Sequence, residues 1–422
     1  MITLIGLGVK DGDISLNAYE EIKKADKIFV RTATTETCSF LKRENIPFTS
    51  FDEFFIHSRN FDTLNKKIVR EVLKNDGCCY LVDGAVDEDE CCKIILKRRK
   101  NVRVFNGVSK GVNALASVGE GGSYTSFSAY DVDKITSGTL SPLVVFDVDD
   151  IFVAGRVKEK LSDCFGEEKF VYFYNGKKFK KIKIYEIDRE ESYDLSCCVV
   201  LTGDKISEKR RFCYEDLLEI IRILRSRNGC PWDRAQTRES ILKNLIEECY
   251  ELVDATKSGE EDKIVEEIGD VMLQCAFHTV FGEEKNSFTS NDVISGVCSK
   301  LIFRHTHVFG QEKAQNSEEA LSVWEKNKAV EKDVKSVLDD VNAVPKSCPA
   351  LIRAQKVYKR YAKGVGEKLD REKILDEIKS CDGVAQLLFL ACKLARVDGV
   401  DAEEELTAFV DDFIAEIEKR KI

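Results

Sequence analysis

The sequence is poor in the residue types that several classes of protein need. Its 422 residues include only four histidines, so a histidine-rich zinc site is not expected. Lysine and arginine number 65 against 75 aspartates and glutamates, a net charge of −10, and the basic surface that binds nucleic acid or membranes is lacking. No apolar run is long enough to span a bilayer, and no basic leader opens the chain. We therefore expect a cytoplasmic protein that binds neither nucleic acid nor membrane.

The sixteen cysteines do not point to a disulfide framework. They include three adjacent pairs, and the spacing Cys-x-x-Cys does not occur. Most of the others lie within apolar helical or strand patterns. In a chain of this length without a leader, we interpret them as reduced thiols that pack as small hydrophobes.

Two short acidic stretches stand out in the second half of the chain. Their carboxylates belong to Glu247, Glu248, Glu251, Glu267 and Asp270. Residues three and four apart share one face of a helix, so each stretch predicts an acidic helix face. Residues 257–262 between them predict a turn, in which Gly259 adopts the left-handed conformation that ends a helix. Two antiparallel helices would then bring the acidic faces together.

Carboxylates packed in this way need an explanation. Without a cation they repel one another and lose hydration. With Mg²⁺ they become an oxygen cage, because hard divalent cations bind carboxylates and keep waters and substrate phosphates as further ligands. The same spacing is also typical of an ordinary solvated helix face. Both stretches are rich in apolar residues too, which favours packed helices, but the residues alone leave both interpretations open.

The first half of the chain alternates strand and helix patterns. Apolar strands are predicted at residues 2–7, 27–30, 78–82, 102–105 and 143–146. This alternation indicates an α/β domain, in which ligands bind at the carboxyl ends of the strands. A glycine-rich loop follows the first strand, although turn formation alone explains its glycines.

Three segments of this half match one known family. Ile5-Gly6-Leu7-Gly8, residues 25–32 and Asn106-Gly107-Val108-Ser109 resemble the N-terminal part of the tetrapyrrole (corrin and porphyrin) methylases. The resemblance implies two α/β subdomains with S-adenosylmethionine in the cleft. However, the loops lack the family's prolines, which preset turn geometry, and the acidic residues 83–90 would repel the carboxylate of S-adenosylmethionine. We expect a methylase-like fold that has lost or changed its activity, with a working methyltransferase as the alternative.

From about residue 206 the pattern becomes helical. Residues 214–225 predict an amphipathic helix that leads into a loop at residues 228–233. Further on, Lys300 and Arg304 are four apart, and such a pair opposite an acidic cage suits a polyphosphate. A solvated helix face is again the simpler alternative. His305 and His307 are two apart, which is poor metal spacing on a helix, so we interpret them as structural residues or as residues behind the metal ligands.

These motifs match a second family. Gly229-Cys230-Pro231-Trp232-Asp233, the two acidic stretches and Lys300-x-x-x-Arg304 resemble the MazG family of nucleoside triphosphate pyrophosphohydrolases, over roughly residues 212–365. The resemblance implies an all-α, dimeric, Mg²⁺-dependent enzyme that converts a nucleoside triphosphate to the monophosphate and pyrophosphate. By position, it implies that the metal ligands are Glu248, Glu251, Glu267 and Asp270. It also implies catalytic roles for Glu247 and Glu248, with Glu247 either activating water or binding a further ion. Lys243, Lys300 and Arg304 would contact phosphate, and Trp232 would stack on the nucleotide or pack.

The tail resembles a second copy of this domain that has decayed. Gly383 and Gln386 stand where the second acidic stretch belongs, and Asp412 and Glu416 reverse both charges of the Lys/Arg pair. We expect this copy to bind neither Mg²⁺ nor a triphosphate. The predicted organisation is thus a methylase-like α/β domain at 1–205, a pyrophosphohydrolase domain at 206–345 and a degenerate helical domain at 346–422. A non-catalytic helical scaffold is the further alternative.

Overall fold

The computed structural model describes residues 1–58, 61–331 and 336–419. These residues form two compact units, Met1–Ser287 and Phe288–Ile422, which we describe separately. The predicted combination of α/β and all-α architecture is confirmed, because the strands fall in the first half and the rest of the chain is helical. The predicted domain limits near residues 205 and 345 stay a prediction.

A parallel five-stranded sheet opens the first unit. Its strands are β1 (Ile2–Gly6), β2 (Ile28–Val30), β3 (Thr49–Ser50), β4 (Cys79–Val82) and β5 (Val102–Phe105). They lie in the order β3-β2-β4-β1-β5, and every neighbouring pair is parallel. The helices beside them are α1 (Leu16–Lys24), α2 (Ser39–Arg43), α3 (Asp52–Ile56), α4 (Phe61–Lys74) and α5 (Glu90–Arg98). Strands β1 and β4 are buried throughout, as expected for parallel strands with covered faces.

A mixed five-stranded sheet follows. Its strands are β6 (Thr125–Ser128), β7 (Leu143–Phe146), β8 (Phe170–Tyr174), β9 (Phe179–Lys183) and β10 (Cys198–Leu201). The order is β6-β7-β10-β8-β9, with β6 and β7 parallel and the other pairs antiparallel. Helix α6 (Lys110–Ser117) packs on one side, and α7 (Ile151–Phe165) covers the larger core cluster. Two α/β subdomains are therefore present, as the methylase resemblance implied.

The remainder of the first unit is helical. Its helices are α8 (Tyr214–Arg225), α9 (Pro231–Ala235), α10 (Leu242–Ser258) and α11 (Glu261–Glu284). Helix α8 has the limits predicted from its amphipathic pattern. It joins α11 through a small buried core that includes Leu218, Ile221 and Phe277. The predicted loop at 228–233 instead starts α9 at Pro231, since proline is well suited to the first turn of a helix.

A tight turn joins α10 to α11, as predicted. Gly259 adopts φ 72° and ψ 18°, and its N–H donates to the Ala255 carbonyl at 3.1 Å. Only glycine enters this left-handed conformation without strain. The turn reverses the chain within three residues, so α10 and α11 form a hairpin.

The second unit contains eight described helices. They are α12 (Ser290–Arg304), α13 (Thr306–Phe309), α14 (Ser317–Glu331), α15 (Val337–Asn342), α16 (Ala350–Val365), α17 (Arg371–Lys379), α18 (Val384–Asp398) and α19 (Ala402–Lys419). Helix α16 contacts α15, α18 and α19. Among the described helices of the whole chain, none combines the length and apolar character needed to cross a membrane.

Substitution of Gly259 tests the turn. A β-carbon there meets no atom within 4 Å, so Gly259→Ala has only the backbone strain to overcome. We expect the free energy of unfolding to fall by about 1–2 kcal/mol, measured by denaturant titration. Gly155, inside α7, also has open space and serves as the control. Gly155→Ala should stabilise by about 0.5–1 kcal/mol, and equal effects of the two substitutions would contradict the assignment.

Candidate metal centre

The α10–α11 hairpin brings three acidic side chains together. Carboxylate oxygens of Glu248, Glu267 and Asp270 all lie within 4.8 Å of one another. Glu267 and Asp270 are three apart on α11, and Glu248 lies on the facing side of α10. All three residues are partly buried. The convergence that the two spacings predicted is therefore present, although the role of these residues as metal ligands stays a prediction.

The electrostatics of this acid cluster favour a cation. Burial raises the pKa of Glu248, and the charges of Asp270, Glu251 and Glu247 raise it further. Burial, followed by the charge of Glu251, likewise raises the pKa of Glu267. Both shifts mean that the folded protein holds these groups in their charged form at a free-energy cost. A bound cation would remove that cost.

One atom of the cluster is left without a partner. The Oε2 of Glu267 is buried and makes no hydrogen bond. A buried carboxylate oxygen without a donor or cation is unfavourable, and native proteins seldom keep one. Because all the donors are carboxylate oxygens, the residues present fit a hard cation such as Mg²⁺.

The other predicted residues of the first unit lie on the surface around these helices. Glu247 and Lys243 are exposed on α10, and Glu251 lies close enough to act on the charges of Glu248 and Glu267. Trp232, on α9, has 63% of its surface exposed. Its indole is thus not a core residue of this unit, which favours the stacking interpretation over packing.

Lys300 and Arg304 belong to the second unit, on α12. Lys300 is exposed. Arg304 donates from Nε to Glu331 Oε2 at 2.6 Å, and its guanidinium lies 5.3 Å from the Trp324 ring centre. Next to it, His305 Nδ1 contacts the Leu301 carbonyl at 2.6 Å, which fits the structural role predicted for this histidine.

Sequence reasoning missed Gln274. This residue lies one turn after Asp270 on α11, is only 6% exposed, and lies near Glu248. A signal was present, because Gln274 is a polar residue in an apolar run, four positions from a predicted ligand.

The acidic loop of the N-terminal half is largely occupied by internal contacts. Glu88 accepts hydrogen bonds from the backbone of Ala85 at 2.8 Å and Lys110 at 3.0 Å, and from Ser109 Oγ at 2.7 Å. Lys110 Nζ is in turn paired with Asp147 at 2.6 Å. A cavity of about 670 Å³ lies beside these groups, lined by Gly8, Asp83, Lys110, Phe146, Tyr174 and others.

Comparison with known proteins identifies the family of the helical part. Residues 236–309 match the family described as the MazG nucleotide pyrophosphohydrolase domain. An uncharacterized protein of Bacillus subtilis, YabN, is 30% identical over 384 residues, which cover 85% of this chain and 76% of that protein. The nucleoside triphosphate pyrophosphohydrolase of Escherichia coli K12 is 36% identical, with 44% of this chain and 79% of that enzyme covered. The corresponding Thermotoga maritima enzyme is 37% identical, with 49% and 84% covered.

These matches show that the protein is a hydrolase of the pyrophosphohydrolase type. The chain belongs to the MazG nucleotide pyrophosphohydrolase family.

Tetrapyrrole methyltransferases are among the solved structures similar to the N-terminal half. The uroporphyrin-III C-methyltransferase of Thermus thermophilus covers 47% of this chain and 93% of its own, with a TM-score of 0.36 and 14% identity. The precorrin-6Y methylase of Archaeoglobus fulgidus covers 48% and 98%, with a TM-score of 0.35 and 16% identity. Such scores say nothing of activity, and the α/β class of this half is established by its own two sheets.

Neutralising one carboxylate tests the acid cluster. Glu267→Gln removes repulsion, so we expect the melting temperature without divalent cation to rise, and the further rise on adding Mg²⁺ to be lost. Thermal unfolding with and without Mg²⁺ measures both effects. Glu261→Gln, an exposed site in the first turn of α11, is the control and should keep the wild-type response. If Glu267→Gln behaved like this control, the cluster would be an ordinary solvated face.

Proposed function

We propose that the helical part of this chain hydrolyses nucleoside triphosphates to the monophosphate and pyrophosphate in a Mg²⁺-dependent reaction. The observation that carries the proposal is the convergence of Glu248, Glu267 and Asp270, with one buried Glu267 oxygen lacking a partner. It falls within the segment that matches the MazG domain. Relatives named nucleoside triphosphate pyrophosphohydrolases support the substrate class, and we extend it to normal or damaged nucleotides.

The acidic residues have different tasks in this proposal. Glu248, Glu251, Glu267 and Asp270 would hold Mg²⁺, which when bound neutralises phosphate charge and orients the triphosphate. Glu247 is exposed, so its carboxylate is available to take a proton from the attacking water together with Glu248. Oxygen of that water forms a bond to the α-phosphorus, and pyrophosphate leaves with the electron pair of the broken P–O bond.

The cationic residues would bind the phosphates. Lys243 and Lys300 are exposed and present point charges, whereas the guanidinium of Arg304 can bind two oxygens at once. Arg304 is already paired with Glu331, so a phosphate would have to replace that carboxylate. Trp232 offers an exposed ring on which a nucleobase can stack.

Methyl transfer by the N-terminal half is less favoured. The Glu88 carboxylate accepts hydrogen bonds from the backbone N–H groups of Lys110 and Gly111 at the start of α6, which an anionic ligand group would need. Lys110, the nearest cation, is held by Asp147. The carboxylate of S-adenosylmethionine would therefore have to displace Glu88 and Asp147 from these donors.

Turnover of triphosphates tests the proposal directly. Pyrophosphate release is measured from a panel of ribo- and deoxyribonucleoside triphosphates, with and without Mg²⁺. We expect Mg²⁺-dependent release that falls by at least roughly 100-fold in Glu251→Gln and Asp270→Asn, because each removes a charge that holds the cation. Glu261→Gln should keep wild-type turnover. Absence of turnover with every triphosphate would refute the hydrolase and favour a non-catalytic scaffold.

The helical hairpin also exposes two apolar stripes, which support the predicted homodimer. Ile246, Tyr250 and Val253 follow one side of α10, and Val265, Ile268 and Met272 follow one side of α11. Each keeps between 42% and 69% of its surface exposed. Six large apolar side chains at helical spacing are unfavourable in water, and a second copy of the same hairpin would cover them.

Disruption of these stripes tests the dimer. Val265→Glu places a charge on the apolar surface, so we expect the mass from light scattering to fall from dimer to monomer. Ser123→Glu adds the same charge at an exposed position outside the hairpin and should leave the dimer intact. A monomeric wild type, or a Val265→Glu variant that remains dimeric, would argue against this interface.

A further inference from the structure

One face of α11 carries three buried polar atoms that have no hydrogen-bond partner. They are Glu267 Oε2, Gln274 Oε1 and His278 Nε2. Their spacing of seven and then four residues keeps them on one side of the helix. Buried polar atoms without partners are rare in native proteins. Glu267 and Gln274 lie within one helical turn on either side of Asp270, so two of the three atoms belong to the surroundings of the acid cluster.

Gln274 is the most informative of the three residues. It is more than nine-tenths buried, one helical turn from Asp270, and its side chain lies near Glu248. An amide has a donor end and an acceptor end. The acceptor end, Oε1, is left without a partner, and only the donor end, Nε2, could bind a carboxylate.

Glu248 needs such a donor. The other groups that act on it are the carboxylates of Asp270, Glu251 and Glu247, which only accept hydrogen bonds when charged. A carboxylate surrounded by carboxylates has no preferred orientation until something holds one of its oxygens. Gln274 can do this without adding another negative charge to the cluster.

We propose that Gln274 is a positioning residue of the hydrolytic site, a role that rests on the function proposed above. Its Nε2 amide holds one oxygen of Glu248 so that the other faces the cation. Its Oε1 accepts a hydrogen bond from a water molecule that becomes ordered when the site is filled. Residues behind metal ligands commonly set ligand orientation in this way, and their loss reduces metal affinity or activity.

Replacing Gln274 by methionine separates positioning from packing. Methionine has a similar length and volume but neither hydrogen-bonding end. Mn²⁺ binding is measured on the full chain by electron paramagnetic resonance without nucleotide, and turnover is then measured at saturating Mg²⁺. We expect the Mn²⁺ dissociation constant to rise by about 10- to 100-fold, and kcat to fall while KM for the triphosphate stays nearly unchanged.

Thr279→Val is the matched control. Thr279 is buried on the same helix, and its hydroxyl donates to the Cys275 carbonyl at 2.9 Å, away from the acid cluster. Its Mn²⁺ affinity and kcat should equal those of the wild type. Wild-type values in Gln274→Met would overturn the inference and assign Gln274 to packing alone.

A second variant covers the case in which Gln274→Met does not fold. Gln274→Glu is isosteric, yet its carboxylate cannot donate to Glu248 at neutral pH. We expect it to retain Mn²⁺, because it adds an oxygen ligand, but to lose kcat; wild-type kcat would overturn the inference. A wild type that binds no Mn²⁺ and turns over no triphosphate would instead refute the proposed function itself, so the two failures are distinguishable.

Discussion

The helical part of the first unit depends on holding mutually repelling carboxylates close together. Contacts elsewhere must offset this repulsion, and they lie at both ends of the hairpin. Gly259 fixes the turn at one end. At the other, Arg222 and Arg225 of α8 bind Glu283 and Glu284 of α11 through paired contacts of 2.7–3.0 Å. A buried core between α8 and α11 adds apolar stabilisation. Because the two helices are held at both ends, their acidic faces cannot move apart to reduce the repulsion between the carboxylates.

In the N-terminal half, by contrast, acidic residues are neutralised by basic side chains. Arg31 pairs with Asp89 at 2.8 Å, and Lys110 pairs with Asp147 at 2.6 Å, with little solvent access to either pair. Breaking a buried pair leaves a charge uncompensated, so such pairs resist displacement by a ligand. The two halves therefore differ in kind: the cleft of the first is internally neutralised, whereas the hairpin keeps carboxylates that still need a partner. A reaction of a polyanionic substrate that needs a bound cation therefore fits the hairpin better than the cleft.

Local patterns explain which features were predictable from sequence. Helix α8 and the turn at Gly259 were predicted correctly because amphipathic spacing and glycine act over a few residues. The convergence of the acidic residues followed from the same two features. Strands β3, β6, β8, β9 and β10 were not predicted. Four of the five residues of β8 are aromatic, and β9 carries three lysines, so neither shows clear alternation. Gln274 was missed because its burial is not visible in the sequence, although its spacing of four residues from Asp270 is.

Arg304, which is predicted to bind phosphate, already has partners in the protein before a substrate binds. Its side chain is only 12% exposed, which for an unpaired guanidinium would be costly. The Glu331 carboxylate at 2.6 Å and the Trp324 ring remove that cost. If Arg304 contacts phosphate as predicted, the substrate exchanges one anionic partner for another, and the guanidinium stays paired before and after. Affinity then depends on the difference between a carboxylate and a phosphate, because the full desolvation of a cation has already occurred on folding.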